Sequence, residues 1–250
     1  MALNVNTRVR WASLQDLDCL GSLQGKKVMD VGCGLGFFSI ELAGRGAEVL
    51  GIDQDRASLD YLTSEYGIST HRVDVDREPL PGTGFDLILA GEILEHLADP
   101  SGFMVKVAKS LTPGGIVILT TPALEGWLTA SRGKQLAHNH GSQRHQRIGF
   151  SLAELETLTT QAGLKLREHR FCLYTLAELF MQLTKVGYLT AKKSYHGQAD
   201  VFEVAHKLRF KILRGIFPAL WLVFRLESLI SASLDLKGHC HIIVAQKPAE

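Results

Sequence analysis

Cysteine is scarce in this chain and never paired in a metal-binding spacing. Cys19, Cys33, Cys172 and Cys240 are scattered through 250 residues without a Cys-x-x-Cys element. That pattern argues against a disulfide framework or a zinc site and reads as reduced thiols in a cytoplasmic protein. No apolar run reaches the roughly 18 residues expected of a membrane-spanning helix. Met1 to Gln24 lacks the apolar core of a signal peptide and carries Arg8, Arg10, Asp16 and Asp18 instead. Neither sign of charge dominates: 27 Lys and Arg against 26 Asp and Glu leave +1, which argues against nucleic acid as a partner. Internal repeats and low-complexity tracts are absent. Apolar residues are not scarce. At 46% they suffice for the full core of one domain spanning residues 1–250.

Two common phosphate cradles are also missing. Val28-Met29-Asp30-Val31-Gly32-Cys33-Gly34-Leu35-Gly36 reads as a strand turning sharply into a helix. Glycines at such a turn let a ligand approach the backbone closely. No Gly-Lys-Ser/Thr follows, so it is not a P-loop. The dinucleotide fingerprint wants a glycine at the sixth position from Gly32, where Phe37 stands, which counts against a nicotinamide-dependent oxidoreductase. Asp30, just before the turn, repels a pyrophosphate but suits a ligand bearing an ammonium or sulfonium. S-adenosylmethionine has both.

Further acids follow in order. Glu48–Asp53 reads as a second strand ending in an acid, seventeen residues beyond Gly36 and suited to a ribose diol. Arg72–Val75 ends a third strand with Asp74. Phe85–Gly91 reads as a buried fourth strand. Leu111–Gly115 reads as a helix-ending turn into a fifth strand, Ile116–Thr120. Together the glycine turn, Asp53, Asp74, Glu95-His96-Leu97 and Pro113-Gly114-Gly115 make residues 26–122 resemble a class I S-adenosylmethionine-dependent methyltransferase. The resemblance is nearest to the small-molecule group that includes ubiquinone-biosynthesis O-methyltransferases, through Glu92-Ile93-Leu94-Glu95-His96. It implies an α/β, Rossmann-like, doubly wound sheet of seven mostly parallel strands, order 3-2-1-4-5-7-6, with the last strand antiparallel.

The same resemblance assigns candidate roles. Gly32, Gly34 and Gly36 form the floor under the methionine part of S-adenosyl-L-methionine, and Asp30 engages its ammonium. Asp53 accepts from the ribose hydroxyls and Asp74 from the adenine amino group, with Gln54 and Val75 near the ring. A surface turn remains the alternative for Asp74. Glu92, Glu95 and His96 share one face of a helical turn. They can hold a divalent ion, orient His96 as a base, or buttress the pocket; no metal is assigned. If the acceptor is a hydroxyl, a base must take its proton. His96 and His145 are the base candidates, His145 ranking above His138 and His140 in the polar stretch Leu124–Gly149, read as a substrate loop.

Elsewhere the pattern is local and legible. Trp11, Leu14, Leu17 and Leu20 predict a short covering helix. Phe37–Gly44, Asp55–Tyr66 and Ser101–Leu111 predict helices. Ser151 with Glu154 predicts a capping box, Gly163 a helix end and Lys165–Phe171 a sixth strand. The last strand is expected at Gly238–Lys247. Between these strands, residues 172–237 form a helical insertion. From Lys185 to Arg225 it has eight Lys or Arg against Asp200 and Glu203. Pro218 is expected to open a second helix, apolar almost all round in its first turns and so buried. The insertion can be a plain cap, a lid over a lipid-like acceptor, or a peripheral contact with the inner membrane face through residues 208–230. The overall expectation is methylation of a small or lipid-like acceptor, at oxygen. The alternatives are a module that binds the cofactor without turnover and a nicotinamide oxidoreductase.

Overall fold

Strand β1 (Lys27–Val31) is buried from Val28 onward because it lies at the middle of a sheet covered on both faces. The computed structural model describes residues 5–126, 146–180 and 208–249. The remaining strands are β2 (Glu48–Asp53), β3 (Ser69–Arg72), β4 (Phe85–Gly91), β5 (Leu111–Pro122), β6 (Lys165–Cys172) and β7 (Cys240–Gln246). Their order is β3-β2-β1-β4-β5-β7-β6, as the resemblance implies. The first five pair in parallel, and β7 runs antiparallel to both β5 and β6.

Alternation along the strands sorts the core into two layers. Met29, Val31, Ile88, Ala90, Val117 and Ile243 face helices α4 (Pro100–Ser110) and α5 (Leu152–Gln161). Val28, Leu87, Leu89, Ile118, Ile242 and Val244 face α1 (Val5–Leu14), α2 (Phe37–Ala43) and α6 (Leu208–Ser233). Helix α3 (Arg56–Tyr66) covers β2 and β3 with Leu59 and Leu62. Trp11, Leu14, Leu17 and Leu20 are all buried, but the covering helix ends at Leu14, and Leu17 and Leu20 follow it in a turn and a short 3-10 helix, Asp18–Leu20. The capping box of α5 is formed: Ser151 Oγ accepts from Glu154 N while the Glu154 carboxylate accepts from Ser151 N.

Four further readings change. Strand β3 ends at Arg72, because the Asp74 carboxylate accepts from Asp76 N and closes a turn that leaves the ladder. The Pro113-Gly114-Gly115 turn lies inside β5, where Gly114 takes φ 77° and the pairing with β4 shifts register. Pro218 does not open a helix: α6 runs through it as one helix of 26 residues. A proline here removes one backbone bond, and Pro218 sits on the exposed side of the helix. Nor is α6 buried all round. Phe224 is 5% exposed, but Leu222 is 53% and Ile230 58% exposed.

Candidate active site

The turn after β1 is stitched to β2 by backbone bonds. Gly32 N and Cys33 N both donate to Ile52 O, at 2.8 and 3.0 Å. Gly36 takes φ 80°, and a Cβ there would overlap Leu62 Cδ1; at Gly32, with φ 70°, it would overlap Ile93 Cδ1. These positions therefore demand glycine both for conformation and for space. Gly36 caps α2 without any side-chain hydrogen bond. Cys33 fills space in the small core of Leu59, Leu62 and Ile68, and burial pushes its thiol well up, so it stays protonated.

Asp53 closes the cradle. Its Oδ2 accepts from Gly34 N at 2.9 Å and its Oδ1 from Asp55 N at 2.9 Å. Sequence-distant residues are thus joined, and the carboxylate is aimed while each oxygen keeps lone-pair capacity for another donor. Asp30 lies beneath, 1% exposed, with Oδ2 accepting from Ser39 Oγ at 2.6 Å. Burial pushes the Asp30 carboxyl up to about 7, against the lowering effect of Ser39.

That shift has a sign. Between the ordinary value of 3.8 and about 7, the folded chain holds a proton that the unfolded chain has released. Stability of the cofactor-free protein therefore falls as pH rises through this window. Asp30→Asn is expected to flatten the slope, read by urea unfolding at about pH 5 and about pH 8. Glu95, raised by burial and then by Glu92, acts in the same direction and leaves a residual slope. An unchanged slope in Asp30→Asn refutes the assignment.

The third acid sits in a surface turn. Asp74 bonds Asp76 N at 3.1 Å and meets Arg77 Nε at 3.5 Å. Val75 is half-buried and packs on the core. Gln54 is exposed, and its carbonyl accepts from Arg72 Nε. Asp76 accepts from Ala98 N at 3.0 Å, which ties this turn to the segment after β4.

Glu92 takes φ 57°, a left-handed conformation held from three sides. Its N–H donates to Thr120 O, its Oε2 lies 2.9 Å from Arg10 Nη2, and Cys240 Sγ donates to Oε1 at 3.6 Å. Glu95 turns elsewhere: it is fully buried and accepts from Thr121 Oγ1 at 3.1 Å. His96 Nε2 is 4.0 Å from Glu95 Oε1, with its side chain 28% exposed. The two acids thus serve different partners, and the Arg10 cation already neutralises Glu92. Among the described residues no group of three acids, histidines or cysteines is arranged to hold a metal. His138, His140 and His145 lie outside the described residues.

Two parts of this region escaped the sequence reading. Arg10, noted only as a charge, comes from α1 to pair with Glu92 across 82 positions. Its signal was a charge next to Trp11 on the buried side of a covering helix. The second is a chain of ionisable groups beside a cavity of about 520 Å³ between α1, β6 and α6. Glu125 Oε2 lies 3.0 Å from His241 Nε2, and His241 Nδ1 lies 2.9 Å from His169 Nε2. His241 Nε2 also faces Phe150 O at 3.0 Å. With two acceptors opposite, Nε2 of His241 must donate. Its Nδ1 then accepts, and His169 donates through Nε2, leaving Nδ1 of His169 as an acceptor. Burial pushes His169 down to about 4, so that acceptor is neutral near pH 7.

Comparison with known proteins agrees with this architecture. The family profile described as "Methyltransferase domain" matches residues 10–169, and the chain belongs to that family. A ubiquinone biosynthesis O-methyltransferase of Cupriavidus pinatubonensis is 30% identical over 190 residues, 70% of this chain and 76% of that protein. One from Idiomarina loihiensis is 33% identical over 161 residues, 57% of this chain and 63% of that protein. One from Alkalilimnicola ehrlichii is 37% identical over 113 residues, and the match spans 44% of its length. The match thus spans from 44% to 76% of the length of these three relatives. Among solved structures, an S-adenosylmethionine-dependent methyltransferase from Mesorhizobium loti aligns with TM-score 0.61 at 17% identity, covering 98% of this chain and all of that one. The fold is the one that this S-adenosylmethionine-dependent methyltransferase adopts. The glycine floor that admits no Cβ and the aimed carboxylate of Asp53 fit S-adenosylmethionine's backbone-close binding and its ribose diol.

Proposed function

We propose that the chain transfers a methyl group to an oxygen of an acceptor that carries an apolar chain. The cavity between α1, β6 and α6 carries this reading. Part of its wall is apolar and aromatic, with Val9, Leu173, Trp221, Phe224 and Leu229, and charged or polar groups such as Arg170, Lys237, His169 and Glu125 line the rest. A volume of about 520 Å³ is in the range of ligand pockets. In the order β4-β5-β7-β6, three strand spacings of ~4.8 Å place the cavity roughly 14 Å from the end of β4. An acceptor long enough to bridge that span has its reacting end over β4 and its chain in the cavity. The curated relatives are O-methyltransferases by name, which supports oxygen as the target.

Gly32, Gly34 and Gly36 hold the methionine part of the cofactor, Asp53 the ribose, and Asp74, Gln54 and Val75 the adenine side. Asp30 sits under the turn with Ser39 and reaches the ammonium through water. When bound, the cofactor supplies an electrophilic methyl on a sulfonium. The protein contributes alignment and exclusion of water. His96 is the described base candidate: it follows β4, is partly exposed and is backed by buried Glu95. His145 is the second candidate. Residues 172–237 act as a cap within one methyltransferase domain.

The test compares two hydroxyl acceptors that differ only in an apolar chain, using labelled cofactor. The chain-bearing one is expected to show a KM lower by about tenfold or more, as burial of a few methylene groups predicts. Trp221→Ala is expected to erase that advantage while leaving the short acceptor unchanged. Equal kinetics for the two acceptors would refute the proposal.

A further inference from the structure

Several polar groups around the cavity between α1, β6 and α6 already have partners. Arg225 pairs with Asp16 at 3.0 Å, and Arg170 pairs with Glu168. Ser13 Oγ donates to Val9 O and the Tyr174 hydroxyl to Phe171 O, both at 3.4 Å. His169, on the same wall, is half committed. Among the described residues its Nε2 has a partner, His241 Nδ1 at 2.9 Å, and its Nδ1 has none.

The groups behind His169 fix what that nitrogen can do. A carbonyl oxygen cannot donate, so Phe150 O, 3.0 Å from His241 Nε2, keeps the His241 proton on Nε2. Glu125 Oε2, also at 3.0 Å, supports the same tautomer. His241 is fully buried and cannot turn to water instead. Its Nδ1 is therefore an acceptor, and His169 donates to it through Nε2. In a neutral ring the other nitrogen then carries a lone pair. Burial above all pushes His169 down to about 4, and Lys237 adds to the shift against the opposing pull of Glu125. The wall thus presents a neutral acceptor of fixed tautomer.

Its neighbours narrow the choice of donor. Lys237 lies over the Phe171 ring, 5.5 Å from its centre, and Phe171 packs edge-on against His169 at 4.7 Å. That cation disfavours an ammonium beside the imidazole and tolerates the oxygen of a hydroxyl. An ether, an ester or a carboxylate has no proton to offer and sets lone pair against lone pair.

We propose that Nδ1 of His169 is a recognition point for a hydroxyl on the chain of the acceptor, distinct from the oxygen that is methylated. His241 is the positioning residue that aims it, with Phe150 O and Glu125 behind. In the order β4-β5-β7-β6, three strand spacings put this hydroxyl roughly 14 Å from the reacting end. His169 is therefore a specificity residue and not the base of the transfer. The inference rests on the reading of the cavity as the seat of the acceptor's chain and deepens it, by naming a polar mark on that chain. A hydroxyl buried without an acceptor is unfavourable. An apolar cavity alone prefers an ether to its isomeric alcohol, and a placed acceptor reverses that order.

The experiment is titration calorimetry of the full chain, without S-adenosylmethionine, against two isomers, octanol and heptyl methyl ether. They have the same atoms, and only the alcohol has a donor. The parent is expected to bind the alcohol about threefold to tenfold tighter, the range of one hydrogen bond. His169→Gln is expected to lose that preference: its amide nitrogen still serves His241, but nothing replaces Nδ1. Its affinity for S-adenosylmethionine should stay at the parent value, which certifies the fold. The proposal is overturned if the parent binds neither isomer, if it binds the ether as tightly as the alcohol, or if the preference survives in His169→Gln. Should that variant not fold, nitrogen NMR of the histidine-labelled parent decides. The His169 Nδ1 resonance is expected to move with the alcohol and not with the ether, and an unmoved resonance overturns the proposal. No methyl transfer is measured, so this proposal and the reading of O-methylation can fail separately.

Discussion

Asp53→Ala is expected to weaken S-adenosylmethionine binding by about two to three orders of magnitude. The carboxylate is held by Gly34 N and Asp55 N, both at 2.9 Å, so it pays no ordering cost when a diol arrives. A hydrogen bond to a charged group contributes about 1.5–3 kcal/mol, and a ribose offers two such donors. Two bonds near the lower limit give about 3 kcal/mol, or more than a hundredfold. Asp53→Asn should fall between, because its amide keeps one oxygen and turns a donor toward Gly34 N or Asp55 N. Titration calorimetry reads both, with thermal melts to establish that the variants fold. Parent-like affinity in Asp53→Ala would remove this residue from the ribose site.

Gly36→Ala is expected to cost about 2–4 kcal/mol of stability and to weaken cofactor binding along with it. Two penalties add. The left-handed backbone at φ 80° disfavours any side chain, and the new methyl overlaps Leu62 Cδ1 in a core with no slack. Gly67→Ala separates the two. Gly67 is also left-handed, at φ 65°, but its missing Cβ faces open space. That variant should lose only about 1–2 kcal/mol, the backbone share. Urea unfolding of the pair gives the difference. If Gly36→Ala is no worse than Gly67→Ala, Leu62 yields freely and the cradle is not tight.

The elements readable from sequence were those specified by neighbours in the chain. Phe85–Gly91 was bounded correctly because a buried parallel strand is one apolar run between turn residues. The Ser151–Glu154 box is a contact three residues apart. The glycine turn and Asp53 were legible for the same reason: one strand–helix–strand unit brings them together. Arg10 with Glu92, and Glu125 with His241, were not, since each pair is joined only by the sheet. Asp74 was read as the end of the third strand, because nothing in the sequence says its carboxylate will accept from Asp76 N and turn the chain off the ladder after Arg72. The composition of α6 predicted burial. What it could not tell was that the core accepts only the Phe224 side, leaving the Leu226 side outside.

Strand β7 lies between β5 and β6, yet it is synthesised after both. Until Cys240–Gln246 leaves the ribosome, β6 has no neighbour to pair with and β5 has an open edge. The first five strands can assemble the cofactor half during translation, while the half nearest α6 must wait for the final segment. A nascent chain stalled before residue 240 should therefore expose an unpaired strand edge, the kind of surface that chaperones occupy.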